Sequence, residues 1–382
     1  MTLKAARRGQ IPPFIVMDVM RAAFERQQAS DDVLHLEVGQ PSTPAPQGVI
    51  AAAKAALDAQ TLGYTDAMGI PQLRARIAEH YQSWYGIEIP IERIAVTTGS
   101  SGAFVLAFLA GFDPGDRVAV AEPGYPCYRN ILSGLGIEPV PIVTSEASRY
   151  QPTIELLEAV PGPLDGLILA SPSNPTGTML SADELEALAG YCTARGIRLI
   201  SDEIYHGITY GERAATALQF TERAVVVNSF SKYFSMTGWR LGWAILPEDM
   251  TRSVERLAQN LYISPPSLSQ HAALAAFECH DELRANVARY AANRALLLEK
   301  LPLAGFERLA PAQGAFYIYA DIAGLTNDSK DFCARMLAET GVAATPGIDF
   351  DPGRGHRFMR FSFAGATRDM VEAAERLKAW LA

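Results

Sequence analysis

Short apolar runs alternate with longer segments of helical periodicity from residue 90 onward. Apolar runs bounded by glycine, proline and polar residues are typical of strands that are buried on both faces of a parallel sheet. The alternation therefore predicts an α/β fold in which helices flank a mostly parallel sheet. The six predicted strands comprise residues 93–96, 117–121, 164–170, 197–200, 224–227 and 241–246.

The segments on either side of this region favour a second, smaller unit. From residue 305 the order strand, helix, strand, strand, helix is typical of an α+β domain, and a short strand is predicted at 33–38. The predicted helices elsewhere comprise residues 15–26, 46–59, 73–85, 103–110, 249–259 and 270–301. The chain is thus predicted to divide into an arm that joins the small domain, a large domain and the small domain itself, at 1–45, 46–275 and 276–382.

The residues that follow the strands carry most of the candidate chemistry. Five consecutive predicted strands run into the segments TTGSSGAF, EPGYPCY, SPSNPTG, SDEIYHG and NSFSK. Ligands of open α/β sheets bind beyond the carboxyl ends of the strands. A turn alone explains any one of these segments equally well, but the five together predict a ligand site at this edge of the sheet.

The segment 229–243, SFSKYFSMTGWRLGW, is the most informative of these strand ends. A lone lysine in a loop is usually solvated, but Lys232 stands among aromatic residues, and apolar surroundings lower the pKa of an amine. A lowered pKa is what a Schiff-base lysine requires. The hydroxyl groups of Ser229 and Ser231 and the fixed charge of Arg240 suit a phosphate group beside it.

The pattern S-x-S-K-x-x-x-x-x-G-x-R-x-G in this segment resembles the fold type I aminotransferases that use pyridoxal phosphate (PLP), specifically the class I, aspartate-aminotransferase-like group. The resemblance extends over nearly the whole chain. It implies the PLP-dependent transferase fold type I with a seven-stranded type of sheet in a large PLP-binding domain. It also implies that Lys232 forms the imine and transfers protons, and that Ser229, Ser231 and Arg240 bind the phosphate.

The segments SDEIYHG and SPSNPTG match two further motifs of this family. The resemblance implies that Asp202 keeps the pyridine nitrogen protonated, and that Tyr205 and Asn174 bond the phenolic oxygen of the cofactor. From the residues alone, Asp202 is equally compatible with a helix N-cap and Asn174 with a plain turn. The resemblance also implies cis peptide bonds at Asn174–Pro175 and Glu122–Pro123.

The small residues Ser100, Ser101 and Gly102 are predicted to begin the phosphate-binding site. A short turn between a strand and an apolar helix offers free backbone N–H groups to an anion. The resemblance implies that the ring of Tyr125 stacks on the pyridine, although core packing is an equal alternative from the residues alone. It further implies that Tyr64 reaches the phosphate of the neighbouring subunit, and therefore that the protein is a homodimer with shared active sites.

An arginine in the alternating segment RFMRFSFA is the candidate for binding the substrate carboxylate. A buried arginine in such a strand is costly unless it meets an anion. The resemblance implies that Arg360 binds the α-carboxylate in a bidentate manner, near Gly39, with Asn174 also contacting the substrate. Arg357 is the more exposed alternative on the same segment.

Composition and residue spacing narrow the kinds of partner and binding site that the protein can have. A net charge of −9 argues against a nucleic-acid partner, and the spacing of the six histidines and four cysteines predicts neither a metal site nor disulfides. The sequence lacks a signal-peptide pattern and an apolar run of membrane-spanning length. We therefore expect a cytoplasmic protein with no membrane partner, and the resemblance implies that its partners are small-molecule substrates, an amino acid and a 2-oxo acid.

The function that follows is a PLP-dependent transaminase that moves an amino group from an L-amino acid to a 2-oxo acid by a ping-pong mechanism. The alternatives are a C–S β-lyase on the same scaffold and, more remotely, a non-catalytic ligand-sensing domain. Helix 103–110 presents Phe104, Val105, Phe108 and Leu109 where some relatives carry a basic residue, which favours neutral or aromatic donors over acidic ones. The segment 10–16, with Ile11, Phe14 and Ile15, is a candidate cover for the site.

Overall fold

The computed structural model of the protein describes residues 3–30 and 32–382, so three residues of the predicted arm, at positions 1, 2 and 31, lie outside the described residues. The strands within these residues are β1 Leu34–His35, β2 Ile94–Thr97, β3 Arg117–Glu122, β4 Glu138–Val143, β5 Gly166–Ala170, β6 Arg198–Asp202, β7 Val225–Ser229, β8 Gly242–Ile245, β9 Arg308–Leu309, β10 Tyr317–Asp321, β11 Val342–Ala343, β12 Thr345–Pro346 and β13 Phe358–Ser362.

The α-helices alternate with these strands and carry the packing faces. They are α1 Ile15–Ser30, α2 Gln47–Ala59, α3 Pro71–Tyr85, α4 Gly99–Gly111, α5 Pro126–Leu135, α6 Ile154–Glu158, α7 Ala182–Arg195, α8 Glu248–Leu261, α9 Ser267–Ala273, α10 His280–Leu303, α11 Ser329–Thr340 and α12 Thr367–Leu381.

A seven-stranded sheet forms the centre of the fold, with the strand order β2-β8-β7-β6-β5-β3-β4. Neighbouring strands pair in parallel, except that β8 is antiparallel to both β2 and β7. Every residue of β7 is buried, which explains why this strand lacks the polar alternation of a one-sided sheet. The predicted α/β architecture with a mostly parallel sheet is confirmed.

Two apolar layers cover the faces of this sheet. On one face, residues such as Leu73 and Tyr81 of α3 and Leu188 of α7 pack against alternate strand residues. On the other face, Phe108 of α4 and Val254 of α8 belong to a separate cluster. The predicted helix at 103–110 begins earlier than expected, because the small residues of the preceding turn already adopt helical geometry.

Strand β4 was not predicted from the sequence, although all six predicted strands are present. Pro139 and Pro141 cannot donate backbone hydrogen bonds, and proline is therefore confined to edge strands. β4 is such an edge strand, because it pairs with β3 alone in this sheet. The two prolines lie two residues apart, so the backbone nitrogens that cannot donate are both on the same edge of β4. The backbone groups on the other edge are free to pair with β3.

The C-terminal part of the chain forms a four-stranded antiparallel sheet in the order β12-β13-β10-β9. The arm joins this part of the molecule, since β1 pairs in parallel with β11. The predicted continuous helix at 270–301 is wrong: α9 ends at Ala273, a single 3₁₀ turn follows, and α10 begins at His280. The acidic residues Asp281 and Glu282 in the first turn of α10 favour a helix start at that point.

Two local predictions concern the backbone near the strand ends. The peptide bonds Glu122–Pro123 and Asn174–Pro175 are cis, as predicted, and Ser171–Pro172 is a third cis bond that was not predicted.

Within residues 3–30 and 32–382, no helix combines the length and the apolar character that crossing a membrane requires.

The fold predicts a large cost for removing Asn293, a fully buried amide on α10. Its Nδ2 donates to the carbonyl groups of Phe363 and Gly365, both at 3.0 Å, and its Oδ1 accepts from Thr367 Oγ1 at 2.7 Å. We expect Asn293→Leu to lower the free energy of unfolding by about 2–4 kcal/mol, because the two carbonyl groups lose their hydrogen-bond donor while they remain shielded from water.

Urea denaturation measures this change, with Arg284→Ala on the same helix as the control. Arg284 is exposed and, among the described residues, forms an ion pair with Asp281 alone, so its removal is expected to change stability by less than about 0.5 kcal/mol. Equal stabilities of the two variants would contradict the role assigned to Asn293.

Candidate active site

A cavity of 510 Å³ lies at the carboxyl ends of the central strands. The strand-end loops that the sequence singled out meet in its wall, together with α1, β10 and β13. The predicted site residues that line it are Gly39, Ser100, Ser101, Tyr125, Asn174, Asp202, Tyr205, Ser231, Lys232, Arg240 and Arg360.

Lys232 follows β7, and its side chain is enclosed by the cavity wall. Its Nζ donates to the carbonyl oxygen of Gly39 at 2.6 Å and lies 6.0 Å from the ring centroid of Tyr205. Burial, assisted by the positive charges of Arg360 and Arg240, lowers the pKa of Lys232 to about 8, against an opposing effect of Asp202. The amine is still mostly protonated at neutral pH, but its neutral, nucleophilic and basic fraction is far larger there than that of an ordinary lysine.

Asp202 ends β6 with its carboxylate buried in the same cavity. Oδ2 accepts a hydrogen bond from the hydroxyl of Tyr128, and Oδ1 accepts from the backbone N–H of Ile204 at 3.2 Å. Burial raises the pKa of Asp202 to about 6, while the bond from Tyr128, the bond from Ile204 and the charge of Lys232 lower it. These donors favour the ionised carboxylate at neutral pH.

Two tyrosines that the sequence analysis missed complete this part of the wall. Tyr128 is in the first turn of α5, three residues after Tyr125, so the repeated tyrosine in YPCY is the signal that could have identified it. Tyr317 on β10 bonds the Tyr205 hydroxyl at 2.7 Å. Gly39 is required beside it, since a Cβ at that position would lie 2.0 Å from the Tyr317 hydroxyl.

Arg360 on β13 is 2% exposed, although it carries a full charge. Nη1 donates to Asn174 Oδ1 at 2.8 Å, while Nη2 donates to the Glu37 carbonyl and to Thr345 Oγ1. Its Nε has no hydrogen-bond partner among the described residues. The guanidinium is thus held at the cavity wall with bonding capacity left over.

Arg357, the alternative on the same segment, lies outside the cavity. It forms an ion pair with Asp321 at 2.8 Å, and its side chain is 41% exposed. The alternation of the strand separates the two arginines, so that the structure brings only Arg360 to the site.

The opposite end of the cavity is formed by the start of α4. Thr98 provides no side-chain cap to this helix, so that the first N–H groups lack a capping side chain. The guanidinium of Arg240 lies against Gly99, where a Cβ would be 2.6 Å from Nη2. Backbone donors and a fixed positive charge therefore converge at one point, as an anion site requires.

Two residues predicted at the phosphate end do not line the cavity. Ser229 Oγ lies behind the wall, where it bonds Ser231 Oγ at 2.8 Å and the Leu241 carbonyl at 3.1 Å. Gly102 instead packs against the side chain of Thr98. Any larger residue at position 102 would clash there, because its Cβ would lie 2.5 Å from Thr98 Oγ1. In the structure both shape the wall from behind.

Tyr64 is not part of the cavity formed by this chain. Its side chain is 84% exposed, far more than is usual for a tyrosine. The aromatic group is thus presented to the surroundings of the protein.

The first two turns of helix α1 and the preceding Phe14 cover the cavity, and the sequence suggested a cover for residues 10–16. The apolar side chains of Phe14, Val16, Met17 and Met20 line the wall. Ile11 and Ile15, which were expected to contribute, do not line it. Phe14 contacts Tyr125 edge to face, with ring centroids 5.7 Å apart.

Comparisons with known proteins agree with this arrangement. The family described as aminotransferase class I and II matches residues 31–377. A valine–pyruvate aminotransferase from Mycobacterium tuberculosis is 53% identical over 385 residues, which cover 100% of this chain and 99% of that protein. A (5-formylfuran-3-yl)methyl phosphate transaminase from Methanocaldococcus jannaschii is 34% identical, with 96% of each chain covered.

Solved structures show the same relationship. The crystal structure of an aminotransferase from Mycobacterium tuberculosis superposes with a TM-score of 0.98 at 53% identity, covering 100% of this chain and 99% of that one. The aspartate aminotransferase from Thermus thermophilus with maleate gives a TM-score of 0.93 at 31% identity, covering 99% and 100%.

The names of these relatives favour amino transfer over the β-lyase alternative. Members of the matched family use PLP. The chain belongs to the class I and II aminotransferase family, and it is a transaminase of fold type I that moves an amino group from an amino acid to a 2-oxo acid.

Proposed function

We propose that this transaminase binds PLP in the 510 Å³ cavity and prefers donors with a neutral aliphatic side chain, such as valine or alanine, with pyruvate-like acceptors. The observation that carries the preference is the apolar cover formed by Val16, Met17 and Met20. The charged side chains in the wall are Asp202, Lys232, Arg240 and Arg360, and the cofactor and one α-carboxylate account for all of them. A second carboxylate would meet no cation in this wall, and the name of the valine–pyruvate relative agrees with this preference.

The hydrogen-bonding and charged groups of the cavity wall fit PLP. The N–H groups at the start of α4, with Arg240, suit its phosphate, and the buried carboxylate of Asp202 suits a protonated pyridine nitrogen. Tyr205 and Asn174 are hydrogen-bond donors for the phenolic oxygen, and the lowered pKa of Lys232 suits an amine that must lose its proton to react with the aldehyde. When bound, PLP supplies an electron sink for the charge that develops at the substrate Cα.

The residues of this chain would bind the substrate and transfer its proton. Arg360 would bind the donor's α-carboxylate, and its bonds to Asn174 and the Glu37 carbonyl orient it before the substrate arrives. Lys232 in its neutral form would remove the proton from the donor's Cα, and the resulting ammonium group would then serve as the general acid. Asp202 remains ionised because Tyr128 and Ile204 donate to it.

A homodimer with shared sites, the division into large and small domains at 46–275 and 276–382, and a cytoplasmic location remain part of the proposal. The exposed ring of Tyr64 is compatible with the dimer, because it does not line the cavity of its own chain and is accessible to a second subunit. The position of the cavity between the two sheets supports the domain division. Four free cysteines are compatible with a reducing compartment.

Lys232→Ala tests the assignment of the catalytic base. We expect kcat to fall by at least about 10²–10⁴-fold, because the amine that moves the Cα proton is lost. Borohydride reduction of the PLP-loaded protein, followed by mass spectrometry, is expected to attach the cofactor to the wild type only. Lys54→Ala, on the exposed face of α2, is the control and should retain normal activity. A Lys232→Ala protein that keeps more than a tenth of the activity would overturn the assignment.

Donor preference tests the apolar cover. We expect kcat/KM for L-valine to exceed that for L-aspartate by at least about 10²-fold, because the second carboxylate would lose water without gaining a partner. Initial rates with pyruvate as the acceptor measure this ratio. Equal values for the two donors would refute the proposed preference.

The pKa of Lys232 can be measured without cofactor or substrate. Only the neutral amine reacts with trace acetic anhydride, and burial lowers the pKa from the ordinary value of 10.5 to about 8. The acetylation rate of Lys232, followed by peptide mass spectrometry, is therefore expected to rise with pH and reach half its maximum near pH 8. A midpoint at the ordinary value would show that the amine is not desolvated.

A further inference from the structure

The cover helix α1 is held at its first turn by a buried carboxylate from a distant part of the chain. The backbone N–H groups of Ile15 and Val16 donate to Asp349 Oδ1 at 3.0 Å and Oδ2 at 3.1 Å. Asp349 is 1% exposed and ends the 3₁₀ turn Gly347–Asp349, between β12 and β13. Both carboxylate oxygens are thus used to cap the cover helix α1.

The same turn is attached to the floor of the site. Arg129 on α5 donates to the backbone carbonyl of Asp349, and the N–H of Gly124 donates to the Phe350 carbonyl at 3.1 Å. The neighbour of Arg129 on α5 is Tyr128, the donor to the Asp202 carboxylate. The cap of α1 is therefore connected to the helix that positions a proposed catalytic group.

The turn also touches the proposed carboxylate-binding arginine. The ring centroid of Phe350 lies 4.8 Å from the guanidinium of Arg360. Asp349 and Phe350 are adjacent, so one short segment contacts both the start of the cover and the group that anchors the donor. The distance between the anchored end of a donor and the cover is consequently set at this segment.

The far end of α1 is held independently of this cap. Arg26 donates to the carbonyl of Ala338 at 2.8 Å and to that of Asp32 at 3.2 Å. The side chains that line the cavity, Val16, Met17 and Met20, lie at the capped end. Loss of the cap would therefore loosen the part of α1 that faces the donor, while the rest of the helix stays attached.

We propose that Asp349 is a specificity-positioning residue, whose carboxylate fixes the first turn of α1 at the depth that fits a branched aliphatic side chain. The proposal rests on the proposed function, since the donor side chain must reach α1. Valine extends beyond its Cβ toward the cover, whereas the single methyl group of alanine makes little contact with it. Valine is therefore the donor that depends on Asp349, and alanine is the internal reference.

The test compares Asp349→Asn with the wild type. Asparagine has the same shape but loses the charge and offers an N–H group where α1 needs an acceptor. We expect KM for valine to rise about tenfold with kcat changed less than about threefold, and KM for alanine to change less than about twofold. Hydrogen exchange of the amides in residues 15–20 is expected to become faster in the variant, independently of any activity.

Asp351→Asn is the matched control. Asp351 is equally buried and lies two residues further along, but its carboxylate bonds Gly353 and Arg354 rather than α1. We expect it to lower stability without changing the ratio of the valine and alanine KM values. A wild type that fails to prefer valine to aspartate would refute the proposed function alone.

Two results would overturn the role of Asp349 itself. One is unchanged exchange of the α1 amides in Asp349→Asn, which would show that the carboxylate does not hold the helix. The other is faster exchange with an unchanged valine-to-alanine KM ratio, which would show that the cover does not set specificity.

Discussion

The burial of charged groups at the carboxyl edge of the central sheet is the constraint on which the site depends. A lysine amine, a carboxylate and a guanidinium share one enclosed cavity, and each would be costly there without partners. The structure supplies these partners from the protein itself: the Gly39 carbonyl for Lys232, Tyr128 for Asp202, and Asn174 for Arg360. Desolvation then becomes useful, because it brings the pKa of Lys232 down to about 8.

The two sheets contribute different parts of the chemistry. The parallel sheet ends in the groups suited to a cofactor, whereas the antiparallel sheet supplies Arg360 on β13 and Tyr317 on β10. The bond between the hydroxyls of Tyr205 and Tyr317 joins them across the cavity. Movement of the small sheet relative to the large one would therefore change substrate binding and the cofactor's environment together.

The sequence predicted the parts of the fold that depend on local pattern. The apolar runs located six of the seven strands in the central sheet, and the strand-end segments contained most of the predicted site residues that line the cavity. The edge strand β4 was missed because its prolines read as a break. The division of the predicted 270–301 helix was missed because an alanine-rich segment keeps helical periodicity through the 3₁₀ turn.

The residues that the sequence did not reveal act through contacts between distant parts of the chain. Tyr128 bonds Asp202 across 74 positions, Tyr317 bonds Tyr205 across 112, and Asp349 caps α1 across 334. Periodicity carries no information about such pairs. For the same reason, the sequence could not distinguish Ser229 and Gly102, which lie behind the wall, from Ser231 and Ser101, which line it.

A single-turnover experiment tests the central claim most directly. PLP-loaded protein is mixed with L-valine in the absence of any 2-oxo acid, and the released 2-oxo acid and ammonia are quantified. The account predicts about one equivalent of 2-oxo acid per subunit and no ammonia, because the amino group stays on the enzyme until an acceptor arrives. Continuous release of ammonia, or no release of 2-oxo acid, would contradict it.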